Sequence, residues 1–334
     1  MKRIRTIIYG CGVMGRGIAS TLLEKQSFEL VGAIDINPEL AGKDIGEVLE
    51  PPRRTGIIIE KNASDLLSRV NARGAVLTTA SHLEKIFPQL KECIEAGLNV
   101  VSTCEELSYP FKRHPHLSAE IDSLARKHGV TVVGTGINPG FLMDTLPLIL
   151  TAPCLSVSSI RVTRMMNSAR RRIPFQKKVG TGLTQEEFRR KIKEGIITGH
   201  VGLLESTYII ADGLGWEIEE AVELPPQPVV DDKEIDTGLG AVKPGDVIGL
   251  VSTAFGRKDG KEVITLEFNA NAAISEEYDE IIIIGEPNIH QRIIGGVHGD
   301  TGTVAVAVNT LPRAVEVSPG LRLMKDLPLP SATP

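Results

Sequence analysis

The hydrophobic pattern of the chain changes character twice. In the first part, short apolar runs alternate with stretches of helical period. "RTIIYG" is a β-branched run ended by Gly10, and a helical pattern follows from about Met14 to Lys25. "ELVGAID" is the next run and ends at Asp35. "GAVLTTA" (Gly74 to Ala80) precedes "HLEKIFPQLKECIEAG", a helix stopped by Gly97. "NVVSTC" precedes "HPHLSAEIDSLARKHG", stopped by Gly129, and "VTVVGTG" closes the series. These runs are apolar throughout rather than alternating, as strands are when helices cover both faces of their sheet. Strands separated by helices of this length predict βαβ units and a parallel sheet.

After "GINPGF" (Gly136 to Phe141) the period shortens. "SVSSIRVTRMMN" alternates, with Val157, Ile160, Val162 and Met165 among polar partners. "LTQEEFRRKIKEGIITG" reads as an amphipathic helix with Thr184 as N-cap and Glu187 three residues on, a capping box. "HVGLLESTYIIADGLGW" reads as another helix and "PPQPVVDDK" as a proline-rich connection. "VIGLVSTAFG", "EVITLEFNANAAI" and "EIIIIGEP" are strand-like, with a hairpin signal in "RKDGKE" between the first two. This is the pattern of an α+β domain on an antiparallel or mixed sheet. Near the end, "HGDTGTVAVAVNTLPRAV" is a helix rich in small apolar residues, suited to packing back on the first domain. "LPLPSATP" has no periodicity and reads as a surface tail. The expectation is an α/β fold: a doubly wound, parallel Rossmann domain over 1–140, an α+β substrate and dimerisation domain over 141–294, and a returning helix and tail over 295–334.

Composition narrows the class. Of the 334 residues, 42% are apolar and 24% charged, which suits a globular chain with a real core. A net charge of -5 argues against nucleic acid or a membrane surface as partner. The basic cluster "ARRR" (Ala169 to Arg172) reads as a solvated face. The cysteines, at 11, 93, 104 and 154, form no CxxC pair and have no histidine at ligand spacing, so no metal site is expected and reduced thiols fit best. No stretch approaches the ~20 apolar residues of a membrane span. A cytoplasmic location is expected.

"GCGVMG" follows the first strand and opens the first helix, with glycines at 10, 12 and 15. In this motif Gly10 makes the tight turn, Gly12 lets a pyrophosphate approach the backbone, and Gly15 lets the helix lie against the strand. The helix start at Val13 and Met14 offers unpaired N–H groups and a partial positive charge to phosphate. Asp35 ends the second strand, 35 − 15 = 20 residues beyond Gly15. A carboxylate there accepts hydrogen bonds from the adenosine ribose hydroxyls and repels a 2′-phosphate, which favours NAD over NADP. Asn37, where an arginine would serve NADP, points the same way.

In an open parallel sheet, ligands sit beyond the carboxyl ends of the strands. Thr78, Thr79, Ala80 and Ser81 follow the third run, either as a wall against the nicotinamide ribose or as ordinary helix caps. Cys104, Glu105 and Glu106 follow the fourth. The two acids fit a helix first turn, or one of them is a general base: hydride loss from an amine carbon needs the neutral amine, and a carboxylate can take the ammonium proton and then activate water against the imine. Glu105, first after the cysteine, is preferred. A thioester-forming Cys104 is disfavoured, because two adjacent acids raise its pKa. In "GTGINPGF", Asn138 is placed to hydrogen-bond the carboxamide or the substrate.

Through "GCGVMGRGIA", "NVVSTCEELSYP", "GTGINPGFLMD", "KKVGTGLTQEEF", "TGHVGLLES" and "GGVHGDTGTVAVAVNTLPR", nearly the whole chain resembles the 2,4-diaminopentanoate dehydrogenase and native amine dehydrogenase family, two-domain oxidoreductases related to dihydrodipicolinate reductase. The resemblance implies NAD(P)-dependent oxidative deamination at C4 of 2,4-diaminopentanoate, giving 2-amino-4-oxopentanoate and ammonia. It also implies a catalytic glutamate in "CEE" and a homodimer, and it leaves NADP open. Dihydrodipicolinate reductase itself fits less well: "RHPHLS" has two histidines but lacks that enzyme's Lys-x-Asp-x-Pro-Ser-Gly-Thr continuation. A diamino-acid substrate calls for a cation and acceptors. Candidates are Arg161 and Arg164, whose spacing puts them on opposite strand faces, with His200 and His298, which either hydrogen-bond substrate or simply cap a helix, and, more weakly, Thr181 and Gln176. Asp144 is expected to be structural. The alternatives are an imine or carbonyl reductase and a non-catalytic dinucleotide-binding protein; the many polar residues at strand ends count against the latter.

Overall fold

The computed structural model describes residues 3–334. In chain order the elements begin β1 (Ile4–Tyr9), α1 (Val13–Glu24), β2 (Phe28–Ile34), β3 (Ile59–Glu60), α2 (Ala63–Arg69), β4 (Gly74–Leu77), α3 (Leu83–Glu95), β5 (Asn99–Ser102), α4 (Pro115–His128) and β6 (Thr131–Gly134). They continue with α5 (Thr145–Leu150), β7 (Ser156–Asn167), α6 (Ile173–Lys178), α7 (Gln185–Lys193), α8 (Leu203–Gly213), β8 (Glu220–Glu223), β9 (Gln227–Val230), β10 (Ile235–Thr237) and β11 (Gly240–Val242). The last are β12 (Val247–Lys258), β13 (Lys261–Asn271), β14 (Tyr278–Glu286), β15 (Ile289–Ile294), α9 (Gly299–Ala314) and β16 (Gly320–Arg322). The chain forms two units. One comprises the residues up to Phe141 together with His298–Pro334, the other Leu142–Val297.

The first unit is built on a seven-stranded sheet in the order β16-β6-β5-β4-β1-β2-β3, every pair parallel. β4, β5 and β6 are only four residues long and almost wholly buried, so their polar neighbours can lie only beyond their ends. Successive strands run outward from β1 in one direction to β3 and from β4 in the other to β6. The reversal lies between β1 and β4, and that is where a doubly wound sheet opens a crevice. The sequence shows five of these strands. The two extra ones, β3 and β16, are edge strands of two and three residues, too short to give a period. α9 packs against α1 and β5, and glycines on the elements it covers permit this: a Cβ on Gly17 of α1 would lie 2.8 Å from Val304, and one on Gly74 of β4 would lie 2.9 Å from Leu311. The final residues carry no regular element but are fastened, with the Ser27 amide donating to the Pro334 carbonyl at 3.2 Å and the Thr333 amide to Asn309 at 2.9 Å.

The second unit holds a mixed sheet in the order β15-β14-β7-β13-β12-β8, with β9 also paired to β12. Only β7 and β13 run parallel. "RKDGKE" is the hairpin it resembles: Lys258 faces Lys261 across a two-residue turn at Asp259 (φ 53°) and Gly260 (φ 69°), both in the left-handed region that such turns require. Two readings need correction. "PPQPVVDDK" is more than a connection, because it contains β9; Pro228 is tolerated there because β9 pairs only with β12. On β7 the alternating buried positions are Ile160, Val162, Arg164 and Met166, with Asn167 buried at the strand end, so Met166 rather than Met165 lies inward. The strict period of two carries Arg164 inward with them. Thr184 and Glu187 form the expected capping box at α7, and α8 lies across β12 and β13.

Candidate active site

Between β1 and α1 the chain turns within Gly10, Cys11 and Gly12. Gly10 has φ +101°, and a Cβ there would lie 2.9 Å from Thr79 Cγ2 and 3.0 Å from Thr78 Oγ1. A Cβ on Gly15 would stand 1.8 Å from the Gly10 carbonyl oxygen, so α1 can approach β1 only without one. Gly12 is different: a Cβ there meets no heavy atom within 4 Å. Gly12 and Val13 are exposed and Met14 is half-buried. No side chain caps the start of α1 and no acid lies in its first turn. Such a helix start offers its amides and positive end to an anion. The Asp35 carboxylate, at the end of β2, accepts from the Cys11 amide at 2.6 Å through Oδ2 and from the Asn37 amide at 2.8 Å through Oδ1. It is therefore fixed beside the loop, each oxygen retaining acceptor capacity. These residues fit a dinucleotide whose pyrophosphate lies at α1 and whose adenosine ribose lies at Asp35.

The ends of β4 and β5 stand alongside. Thr78 donates from its amide to the Tyr9 carbonyl and from Oγ1 to the Gly10 carbonyl, both at 2.8 Å, so its hydroxyl braces the glycine loop. Thr79 is exposed and donates to Gln89, while Ala80 and Asn138 are half-buried. Cys104 is fully buried, with Sγ 3.1 Å from the Ser81 carbonyl oxygen. Burial, and then the charges of Glu105 and Glu106, push its thiol up to about 12. A thiol so held is not a nucleophile near neutral pH, which removes the thioester reading.

Glu105 and Glu106 open a 3-10 turn, Glu105–Ser108, and differ sharply. Glu105 is half-buried; Glu106 is 4% exposed. The Glu106 Oε1 accepts from His82 Nδ1 at 3.0 Å and Arg113 at 2.8 Å. Its Oε2 accepts from the Leu83 amide at 2.8 Å and His114 Nε2 at 2.9 Å. Burial alone would raise its pKa, but the bonds from His82, Leu83, Arg113 and His114 outweigh burial and hold it at about 2. Sequence reasoning missed these partners. Their one signal was position: His82 directly precedes the helix after β4, and Arg113 and His114 directly precede α4. No group of three or more His, Cys, Asp or Glu arranged to hold a metal occurs among the described residues, and no helix among them is long and apolar enough to cross a membrane.

The remaining candidates are scattered. His298 caps α9 through Nδ1, which accepts from the Thr301 amide at 3.5 Å. In the second unit, Arg161 is exposed on β7, whereas Arg164 is buried, 2.7 Å from Asp279 Oδ1 and donating to the Val297 carbonyl at 2.7 Å. Arg164 is thus an internal ion-pair partner rather than a cation offered to a substrate. His200 stacks on Phe268 with centroids 4.6 Å apart, and its amide donates to Ser252. Thr181 Oγ1 and Gln176 Oε1 are buried and meet no hydrogen-bond partner among the described residues. Asp144 is structural, capping α5 through the Thr145 amide and accepting from Ser206 of α8 at 2.7 Å.

A parallel sheet reversing at a glycine loop, with an acid ending its second strand and carboxylates after β5, defines a two-unit, nicotinamide-dinucleotide-type oxidoreductase. Comparison with known proteins makes this specific. Residues 4–108 match the family described as dihydrodipicolinate reductase, N-terminus. Residues 141–334 match the 2,4-diaminopentanoate dehydrogenase C-terminal domain. The chain is 37% identical to a 2,4-diaminopentanoate dehydrogenase of Acetoanaerobium sticklandii, over 99% of this chain and 95% of that one. It belongs to the 2,4-diaminopentanoate dehydrogenase family. It is also 23% identical to an amine dehydrogenase of Streptomyces virginiae, over 98% of this chain and 96% of the other. The solved amine dehydrogenase from Mycobacterium smegmatis superposes with a TM-score of 0.84 at 26% identity, covering 98% of this chain and 97% of that one. At 14% identity and TM-score 0.52, a dihydrodipicolinate reductase from Paenisporosarcina sp. TG-14 shares the fold.

Proposed function

We propose that the chain catalyses NAD-dependent oxidative deamination of 2,4-diaminopentanoate, or of a closely related amine, with Glu105 as general base. Family membership supports the reaction class, and the inequality of the two adjacent glutamates carries the assignment. All four lone-pair sites of the Glu106 carboxylate are taken. Held at about 2, Glu106 cannot accept a proton from an ammonium group near neutral pH. The base is then Glu105, on the same turn and half-buried.

A bound nicotinamide supplies the hydride acceptor. The glycine loop and the start of α1 would hold the pyrophosphate, and Asp35 would accept from the adenosine ribose hydroxyls; its charge, with Asn37 beside it, would favour NAD over NADP. Glu105 removes the ammonium proton, so that the nitrogen lone pair can drive hydride from the amine carbon. Once Glu105 has passed that proton to solvent, it takes a proton from the water that attacks the carbon of the resulting iminium. It returns this proton to the nitrogen of the adduct, which loses its hydroxyl proton as it collapses, releasing ammonia and leaving the ketone, here 2-amino-4-oxopentanoate.

The test is NADH formation from 2,4-diaminopentanoate and from simple amines at alkaline pH, in wild type and Glu105→Gln, with NADP as second oxidant. The substitution should lower kcat by roughly 10²- to 10⁴-fold, the span of general acid–base catalysis, while NADH still binds. Turnover unchanged in Glu105→Gln sinks the assignment.

A further inference from the structure

α3, which follows β4, and α4, which follows this turn, both begin at a histidine that does not cap its own helix. His82 is the N-cap of α3 and His114 the N-cap of α4, and neither makes a side-chain capping bond. Both imidazoles turn instead to Glu106, at 3.0 and 2.9 Å. Glu106 also takes over the cap that His82 leaves undone, accepting from the Leu83 amide in the first turn of α3. Its negative charge is stabilised there by the helix dipole. Arg113, half-exposed, supplies the compensating positive charge at 2.8 Å. One carboxylate therefore joins three segments: the turn after β5, the start of α3 and the start of α4. The same turn is gripped from below. The Glu106 amide and the Cys104 thiol both donate to the Ser81 carbonyl, and β6 abuts it so closely that a Cβ on Gly134 would lie 2.4 Å from the Leu107 carbonyl carbon.

We propose that Glu106 is a positioning residue that locks the backbone carrying Glu105, with His82, Arg113 and His114 as the other jaws of the clamp. The proposal rests on the reading of Glu105 as the base. Its physical content is that proton transfer and attack by water need the carboxylate at a fixed distance from the amine carbon, and a shift of about 1 Å at a reacting group costs on the order of 10²-fold in rate. Glu106→Gln keeps the shape but turns an NH₂ group toward two of the donors, so the clamp must open on one side.

Glu106→Gln should lower kcat, counted per NADH-binding site, by about 10- to 100-fold, with KM for NAD changed less than about threefold because the glycine loop and Asp35 are untouched. His82→Ala and Arg113→Ala each remove one jaw and should lower kcat less, roughly threefold. Combined with Glu106→Gln, neither should add its full effect, since the partner is already lost. A role in folding alone would reduce the number of NADH-binding sites and leave kcat per site intact. A kcat per site within twofold of wild type in Glu106→Gln, or fully multiplicative losses in the double variants, overturns the clamp. Should Glu106→Gln fail to fold, the single variants decide: wild-type kcat per site in both His82→Ala and Arg113→Ala overturns it equally. Glu105→Gln separates the two readings. If it stays active, the base assignment fails; if it is inactive while the clamp variants turn over normally, only the clamp fails.

Discussion

Each unit buries charge, and two of the buried charges, one in each unit, are held on opposite plans. In the mixed sheet, Arg164 of β7 and Asp279, the second residue of β14, are directly opposed across one antiparallel pairing, 2.7 Å apart. In the parallel sheet, Glu106 lies beyond a strand end and gathers His82, Leu83, Arg113 and His114 from two other segments. The first arrangement fixes the register of two neighbouring strands, and any sheet could use it. The second spends four donors to hold one short turn, at the edge where a doubly wound sheet places its ligand.

The comparison can be broken most forcefully at the ion pair. Asp279→Ala leaves a buried guanidinium uncompensated and should destabilise the protein by about 3–5 kcal/mol in denaturant titrations. Replacing both Arg164 and Asp279 with apolar residues of similar size should recover most of that loss. Stability as low in the double variant as in the single would mean that the pair does more than set register.

The strand-end cluster is tested by acid. Glu106 titrates at about 2 when folded, against an ordinary 4.5. Its folded pKa is depressed, so its contribution is fully present above about pH 4.5 and disappears as pH falls toward 2. The stake is on the order of 3 kcal/mol. Wild type should therefore lose stability across that window more steeply than Glu106→Gln. Parallel curves for the two proteins would show that Glu106 is not held as described. The smallest effect calibrates the rest. Thr184→Ala removes the N-cap of α7, which should cost about 1 kcal/mol and leave the acid window unchanged.

Much of the first unit was legible because its signals are local. The spacing of Gly10, Gly12, Gly15 and Asp35 and the alternation of short apolar runs with helices each lie within a few tens of residues. The 12-residue β7 and the capping box at Thr184 were legible for the same reason. Edge strands such as β3, β9 and β16 are too short, or too rich in proline, to show a period. The partners of Glu106 were not legible, because His82 is 24 residues away in sequence, and only the pairing of β4 with β5 brings it near. "CEE" does not show that Glu106 is the one held by four donors. Arg164 is a similar case: spacing showed that it and Arg161 face opposite ways, while Asp279 lies over a hundred residues downstream.

The division of the chain also bears on its synthesis. α9, which covers α1 and β5, and β16, which borders β6, lie after the whole of Leu142–Val297. On a ribosome, the strands that carry the glycine loop and the two glutamates emerge early yet keep an uncovered apolar face until the last helix is made. Domains that fold as units during translation pass through such exposed intermediates. A nascent chain arrested after Val297 would present the surface that α9 covers.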